Sequence, residues 1–439
     1  MAKITKLEAR EISDSRGNPT LEVELELNNQ FVGQAAVPAG ASTGQHEAVA
    51  LPASQAVTKV KGEISQKLIG HDFDQESLDV ELIALDGTPN KNHLGANATL
   101  GVSLAFAHAL ALSQNQELFE IIINSVRGES SSTVGSPTSS EPEVGLRTAF
   151  PLPMFNILNG GRHASNSTDI QEFMIVPIGT SSFREALTWG QDIYQALKKI
   201  LEAKNLSLEL GDEGGFAPTL SSNTEALDLL VEAIEQAGYK PGEQVALALD
   251  VAANELKTND RSVQTGNYVF PKGLPVGPTI LQTLTSAELI NSYEELIKKY
   301  PIISIEDGLG EDDWTGWQEL TARLGNKINL VGDDLFVTNL ARLHEGIDKK
   351  VANAIIIKPN QIGTLSETLA VIKLAQSVNY KIIVSHRSGE TLDTTIADLA
   401  VAVSADFLKS GAPSRPERLA KYNRLLAIET KLSTRSPVL

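Results

Sequence analysis

The runs VALALD (245–250), IISIE (302–306), INLVGD (328–333), AIIIK (354–358), KIIVSHR (381–387) and FLK (407–409) decide the fold. Each is an aliphatic stretch of strand length that runs into a charged side chain. FPLPMFNIL (150–158), EFMIVP (172–177) and LSLELGDEGG (206–215) belong to the same series. Helical periodicity fills most of the gaps between them, as in SFREALTWGQDIYQALKKILEAKN (182–205) and NTEALDLLVEAIEQAGYK (223–240). Strand–helix alternation from 148 to 439 predicts a closed α/β barrel. FPLPMFNIL and EFMIVP lie too close together to enclose a full helix, so the barrel is expected to begin with an antiparallel strand pair.

Towards the N-terminus the pattern changes. Residues 3–12 and 19–27 read as strands, and TLEVELEL (20–27) alternates with period two. SRGNP (15–19) and Asn28-Asn29 are turn chemistry, and FVGQAAVP (31–38) is a third strand. An antiparallel meander is expected. From about 45 to 123 the period is helical, and 98–123 is apolar on more than one face, which predicts a mostly buried helix or helix pair. Residues 1–124 therefore read as a small α+β domain. The stretch SVRGESSSTVGSPTSSEPEVGLR (125–147) has little to bury and reads as an insertion or linker.

Composition narrows the function. With 439 residues the chain suits two domains, and its 41% hydrophobic and 21% charged content is ordinary for a globular protein. The 37 basic against 55 acidic residues give a formal charge of −18, which argues against a broad nucleic-acid surface. The absence of cysteine excludes disulfides, thiolate nucleophiles and thiolate metal sites. No apolar run of signal or membrane-spanning length stands out, so a cytoplasmic enzyme is expected, with no membrane and no nucleic-acid partner. A metal here would be held by oxygen or imidazole, which favours magnesium, manganese or calcium over zinc.

In α/β barrels the chemistry sits at the carboxyl ends of the strands. Read in order, these ends carry Glu172, Glu213, Asp250, Glu306, Asp333, Lys358, His386 with Arg387, and Lys409. Each of the acidic groups alone could be a capping residue. Three carboxylates converging at Asp250, Glu306 and Asp333 would repel one another, and a divalent cation resolves that repulsion. Lys358 closes a buried strand, where an ammonium is costly unless used or paired. Among neighbouring cations its pKa would fall and it could act as a base; a salt bridge to Glu306 or Asp333 is the competing reading. SHRSG (385–389) concentrates donors suited to a phosphate or carboxylate, and GDEGG (211–215) presents Glu213 between glycines.

These residues lie within SRGNPT, GASTGQHEA, NGGRHASN with QEFM, GDEGGFAP, SIED with EDDW, GDDLFVTN, KPNQIGTLSET, SHRSGET and KSGAPSRPERLAKYN. In that order and spacing the set resembles the enolase family over nearly the whole chain. A lysine or histidine base beside one or two Mg²⁺ is the general pattern of that superfamily. The resemblance implies a glycolytic and gluconeogenic lyase that reversibly dehydrates 2-phosphoglycerate to phosphoenolpyruvate. Two Mg²⁺ per site are implied, the first on Asp250, Glu306 and Asp333 and the second reached by Ser42 on a mobile loop. By the same resemblance Lys358 takes the carbon-2 proton, Lys409 adds positive charge, and Glu213 with Glu172 assists loss of hydroxide. Gln171 and His163 lie on the substrate loop, His386 contacts substrate, and Arg387 and Ser388 bind phosphate. A homodimer or larger homo-oligomer is implied too. A different acid substrate or a catalytically silent, enolase-like binding protein would be expected to lose Lys358, Glu213, a metal ligand or the SHRS group, and none is lost.

The chain departs from the family pattern at Gly308 and Gly310, which are expected to loosen the loop after Glu306. Arg162 adds a cation beside His163. AVALPAS (48–54) replaces a charged stretch and leaves the anchoring of the preceding loop in question.

Overall fold

The structure is a computed structural model that describes residues 1–41, 44–127, 150–164, 167–257, 267–274 and 282–435. Strands β1 (Ala2–Ser13), β2 (Pro19–Leu27) and β3 (Phe31–Val37) form the expected meander, and β4 (Asp72–Phe73) extends it beside β1. Period-two burial on β1 and β2 puts Ile4, Leu7, Ala9, Leu21, Val23 and Leu25 against the helices. Chief among these is Ala96–Ser113, followed by Leu118–Arg127, so the apolar stretch at 98–123 is a helix pair. Ala96–Ser113 has the length and composition to cross a membrane, which the sequence reading did not recognise, but most of its surface is buried inside the protein. Residues 128–149, most of the expected insertion, lie outside the described residues.

The barrel closes from β5 (Leu152–Asn159), β6 (Glu172–Val176), β7 (Ala246–Asp250), β10 (Ile302–Glu306), β11 (Asn329–Gly332), β12 (Ala354–Ile357), β13 (Lys381–Ser385) and β14 (Phe407–Lys409), while β8 (Asn267–Phe270) and β9 (Gln282–Thr285) form a separate hairpin. All barrel neighbours are parallel except β6, which runs antiparallel to both β5 and β7. The antiparallel start is thus present, and it has a consequence for Glu172. This residue begins its strand, yet the reversal brings it to the same end of the barrel as the last residue of β7, opposite Asp250 in register.

Strand alternation sorts the side chains into two sets. Met154, Met174, Val176, Ala248, Val331, Ala354, Ile356, Ile383 and Phe407 form one buried cluster that fills the barrel interior. The residue two places nearer the mouth on the same strands is polar or charged: Asn156, Glu172, Asp250, Asp333, Lys358, Ser385 and Lys409. The other parity, including Leu247, Leu249, Ile305, Leu330, Ile355, Ile357, Ile382, Val384 and Leu408, joins the larger core beneath the helices.

The small domain docks onto the barrel through backbone. Ala39 and Gly389 exchange N–H···O bonds of 2.8 and 2.9 Å, and Ser15 N–H donates to Glu390 O at 2.8 Å. A Cβ on Gly389 would meet Asp14 Oδ2 at 2.1 Å, so this contact requires glycine. The AVALPAS stretch is anchored after all, by Ala48 N–H to Gln361 O at 2.9 Å and Val49 N–H to Asn90 O at 2.8 Å.

Within the small domain, a Cβ on Gly33 of β3 would stand 2.1 Å from Ala105 O and 2.3 Å from Ala109 N. Backbone cannot yield as a side chain does, so Gly33→Ala should cost roughly 3 kcal/mol. Urea unfolding will check this, a lowered midpoint being expected and an unchanged one contradicting the close packing.

Candidate active site

Asp250 and Glu306 are the last residues of β7 and β10, Asp333 and Lys358 directly follow β11 and β12, and Ser385 and Lys409 end β13 and β14. The mouth they surround is lined also by Gln171, Glu172, Glu213, His386, Arg387 and Ser388. β6 and β12 stand four places apart in the ring of eight, so Glu172 and Lys358 belong to opposite sides of the barrel axis.

Lys409 is at the centre of the charge. Its ammonium lies 3.0 Å from Glu172 Oε2 and 3.0 Å from Asp250 Oδ2, and donates to both Glu306 oxygens at 3.0 and 2.9 Å. It is 2% exposed. Burial alone would lower its pKa, but Asp250, Glu172 and Glu306 push it well above the usual lysine value. Glu172 and Glu306 are raised well above the ordinary carboxylate range, first by burial; Glu213 adds most to the first and Asp250 to the second.

Lys358 is ion-paired with Asp333, the competing outcome in the sequence reading. Burial and the cations Arg387 and Lys409 lower its pKa, but Asp333 raises it and the net direction is upward. The expectation of a depressed lysine is therefore corrected for this state: the carboxylate at the end of the next strand outweighs the cations. Asp333 is correspondingly held below its ordinary value, Lys358 overcoming the effect of burial. Its other oxygen accepts from Gln361 Nε2 at 2.9 Å.

Among the described residues, the carboxylates whose oxygens approach one another within 4.8 Å as a group of three are Asp307, Asp333 and Asp334. The expected trio Asp250, Glu306 and Asp333 is not gathered that tightly, because Lys409 draws in the first two and Lys358 the third. Asp307 accepts the N–H groups of Asp333 and Asp334 at 3.0 and 2.8 Å, which suits it to support the loop. The donor set nevertheless fits a hard divalent cation. Glu172, Glu213, Asp250, Glu306 and Asp333 share the mouth with two lysines, and carboxylates in excess of ammonium groups in a buried site call for more positive charge.

On the other side, Glu213 Oε2 accepts from Asn156 Nδ2 at 2.9 Å and lies 3.2 Å from His386 Nε2. His386 is depressed to about 4, chiefly by burial, so its ring is neutral at physiological pH. Arg387 forks onto Glu47 at 3.0 and 3.1 Å, and Ala41 N–H donates to Ser388 Oγ at 2.6 Å. These two phosphate candidates are thus engaged by the small-domain loop; a ligand on Arg387 would compete with Glu47. Ser42 and the side chain of His163 lie outside the described residues. Arg162 pairs with Glu255 at 3.0 Å.

Gly310 does not loosen its loop. A Cβ there would meet Lys257 Cε at 2.0 Å, so lysine fills the space, while Tyr268 Oη accepts from Gly310 N and Trp317 Nε1 donates to Gly310 O. Gly308 O accepts from Tyr293 Oη at 2.8 Å. Sequence reasoning gave no role to Glu47, Gln361, Asn156, Asp307 or Arg418. Glu47 and Gln361 fall inside quoted motifs, but only a fold reveals what they touch.

A barrel with an ammonium on one side of its mouth and buried carboxyl groups on the other defines an acid–base enzyme of the α/β-barrel class. Comparison with known proteins narrows the class. Residues 4–122 match the family described as "Enolase, N-terminal domain", and 147–438 match "Enolase, C-terminal TIM barrel domain". The chain is 50% identical to the enolase of Acidothermus cellulolyticus over 443 aligned residues, covering 98% of this chain and 95% of that protein. The chain belongs to the enolase family, and is a lyase of the phosphopyruvate hydratase type.

Removing the Lys409 charge leaves Glu172, Asp250 and Glu306 buried without their shared cation. Lys409→Met should cost about 3 kcal/mol or more in metal-free protein at pH 8. The carboxyls of Glu172 and Glu306 are already raised in the folded state, so on acidification the folded protein takes up protons before the unfolded chain does, and stability rises as pH falls. Denaturant titrations should show Lys409→Met regaining more stability between pH 8 and pH 5.5 than the parent; an equal response would contradict this account.

Proposed function

We propose that this enolase family member carries out the reversible, Mg²⁺-dependent dehydration of 2-phospho-D-glycerate to phosphoenolpyruvate, as in glycolysis and gluconeogenesis. What supports the reading is the placement of Lys358 and the Glu172–Glu213 pair across one barrel mouth. A 1,2-elimination needs a proton taken at one carbon and a leaving group protonated at the next.

In the forward direction Lys358 Nζ accepts the carbon-2 proton, and the electron pair moves into the substrate carboxylate. Lys358 must arrive neutral, so Asp333 must be drawn to another charge. Asp250, Glu306 and Asp333 would hold Mg²⁺, with Ser42 reaching a second ion; the metal supplies positive charge for the substrate carboxylate as its negative charge grows. Lys409 adds a fixed positive charge at the same wall. Glu213 then gives its proton to the carbon-3 hydroxyl, which leaves as water, while Glu172 beside it keeps the pair from ionising fully. In the reverse direction the ammonium form of Lys358, the form that Asp333 favours, is the one that returns a proton to carbon 2.

Gln171, His163 and His386 position the substrate, and Arg387 with Ser388 takes the phosphate. A homodimer or larger homo-oligomer, a cytoplasmic location, and the division into 1–124, 125–147 and 148–439 accompany this reading. The pairing of Arg387 with Glu47 supports a site that rearranges when an anion enters.

Absorbance of phosphoenolpyruvate should show turnover that depends on Mg²⁺. Lys358→Ala should abolish exchange of the carbon-2 proton with solvent. Glu213→Gln should lower dehydration by about 10²-fold or more while exchange persists. Equal loss of both in Glu213→Gln would overturn the split of roles, and no turnover by the parent protein would favour a silent, enolase-like binding protein.

A further inference from the structure

Arg418 is fully buried, in the helix Pro416–Arg435, and no role in the reaction above falls to it. Its NH1 group donates to Arg387 O at 2.7 Å and lies 2.6 Å from His386 Nδ1. Its NH2 group donates to Ser388 O at 2.6 Å and Asp212 O at 3.1 Å. The side chain therefore joins the loop that carries Glu213 to the loop that carries His386 and Arg387. Space for it depends on Gly411, which has a φ of +78°; a Cβ there would meet Arg418 Cδ at 3.0 Å and His386 Cε1 at 3.2 Å.

A guanidinium can only donate. The Nδ1 atom facing Arg418 must then be the acceptor of the imidazole, and the single ring proton sits on Nε2. The Nε2 edge of the ring lies 3.2 Å from Glu213 Oε2, which accepts from Asn156 Nδ2.

We propose that Arg418 is a positioning residue for the dehydration: it holds His386 in the Nε2–H tautomer, which sets the N–H edge of the ring beside Glu213. The depressed pKa of His386 agrees with a ring that stays neutral against this cation. The proposal rests on the role given to Glu213 above, but its first test does not.

Two-bond ¹H–¹⁵N correlation of the histidine rings in the full-length, metal-free protein at pH 7, with His386→Gln used to assign the signal, should show His386 neutral and protonated at Nε2. An Nδ1–H ring or an imidazolium overturns the proposal whatever the activity. Arg418→Met should move the ring proton towards Nδ1 and lower kcat by about 10- to 100-fold, as loss of groups that orient a functional histidine does, with KM changed less. Glutamine at 386 offers an amide N–H without a tautomer choice, so Arg418→Met in the His386→Gln background should cost at most about a third of its wild-type factor. The same loss in both backgrounds would mean that Arg418 only props the loops, and would refute the positioning role. Arg418→Lys, which keeps the cation but fewer donors, should give an intermediate loss; should Arg418→Met fail to fold, this variant and the parent ring spectrum carry the test. Absence of turnover by the parent would remove the role of Glu213 while leaving the tautomer result standing.

Discussion

One ammonium group, that of Lys409, holds together three carboxylates that would otherwise repel one another in a buried barrel end. Glu172, Asp250 and Glu306 arrive from three neighbouring strands, and Lys409 meets them from β14. Buried charge of this kind contributes little net stability, because desolvation offsets most of the attraction. Its value lies in function. Glu172 and Glu306, kept near each other at a raised pKa, are ready either to bind a cation or to hold a proton, as the proposed dehydration requires.

The apolar plug beneath that layer makes the arrangement possible. Met174, Ala248, Val331, Ile356, Ile383 and Phe407 fill the barrel axis, so the charged side chains can extend only towards the mouth. Above them the small domain supplies Glu47 to Arg387, and Gln361 reaches both Asp333 and Glu47. Gln361 also accepts from Thr338 Oγ1, which in turn accepts the N–H of Lys358. Val337 and Thr338 take φ values of +42° and +50°, unusual for β-branched residues, and the strain sits beside the proposed base. Loop, metal-ligand candidate and base are thus parts of one hydrogen-bonded network.

Much of this was legible in the chain. The strands that carry the site, the meander, the antiparallel start and the apolar helix pair all follow from periodicity that a strand or helix imposes locally. So does the identity of the residues at the mouth, since each charge follows its own aliphatic run. The state of those residues was not legible. The run AIIIK left Lys358 open to a depressed pKa or a salt bridge to Glu306 or Asp333, and the structure gives the pair with Asp333, which raises it; Gly310 reads as slack, whereas Lys257 occupies the space its side chain would take. Asp307 and Arg418 act through backbone atoms of other loops, and no spacing in the sequence announces such partners.

The sequence by itself determined which side chains stand at strand ends, because each aliphatic run of strand length stops at a polar or charged residue. Tertiary structure decided which of those charges meet. Ring order puts Lys358 beside Asp333, Lys409 reaches across the mouth from β14 to Glu172, Asp250 and Glu306, and reversal of β6 turns the first residue of that strand, Glu172, to the mouth. Ionisation depends on burial and on neighbours a few ångströms away, and those neighbours come from distant segments, Lys409 and Glu172 being 237 residues apart, whose approach only closure of the barrel brings about.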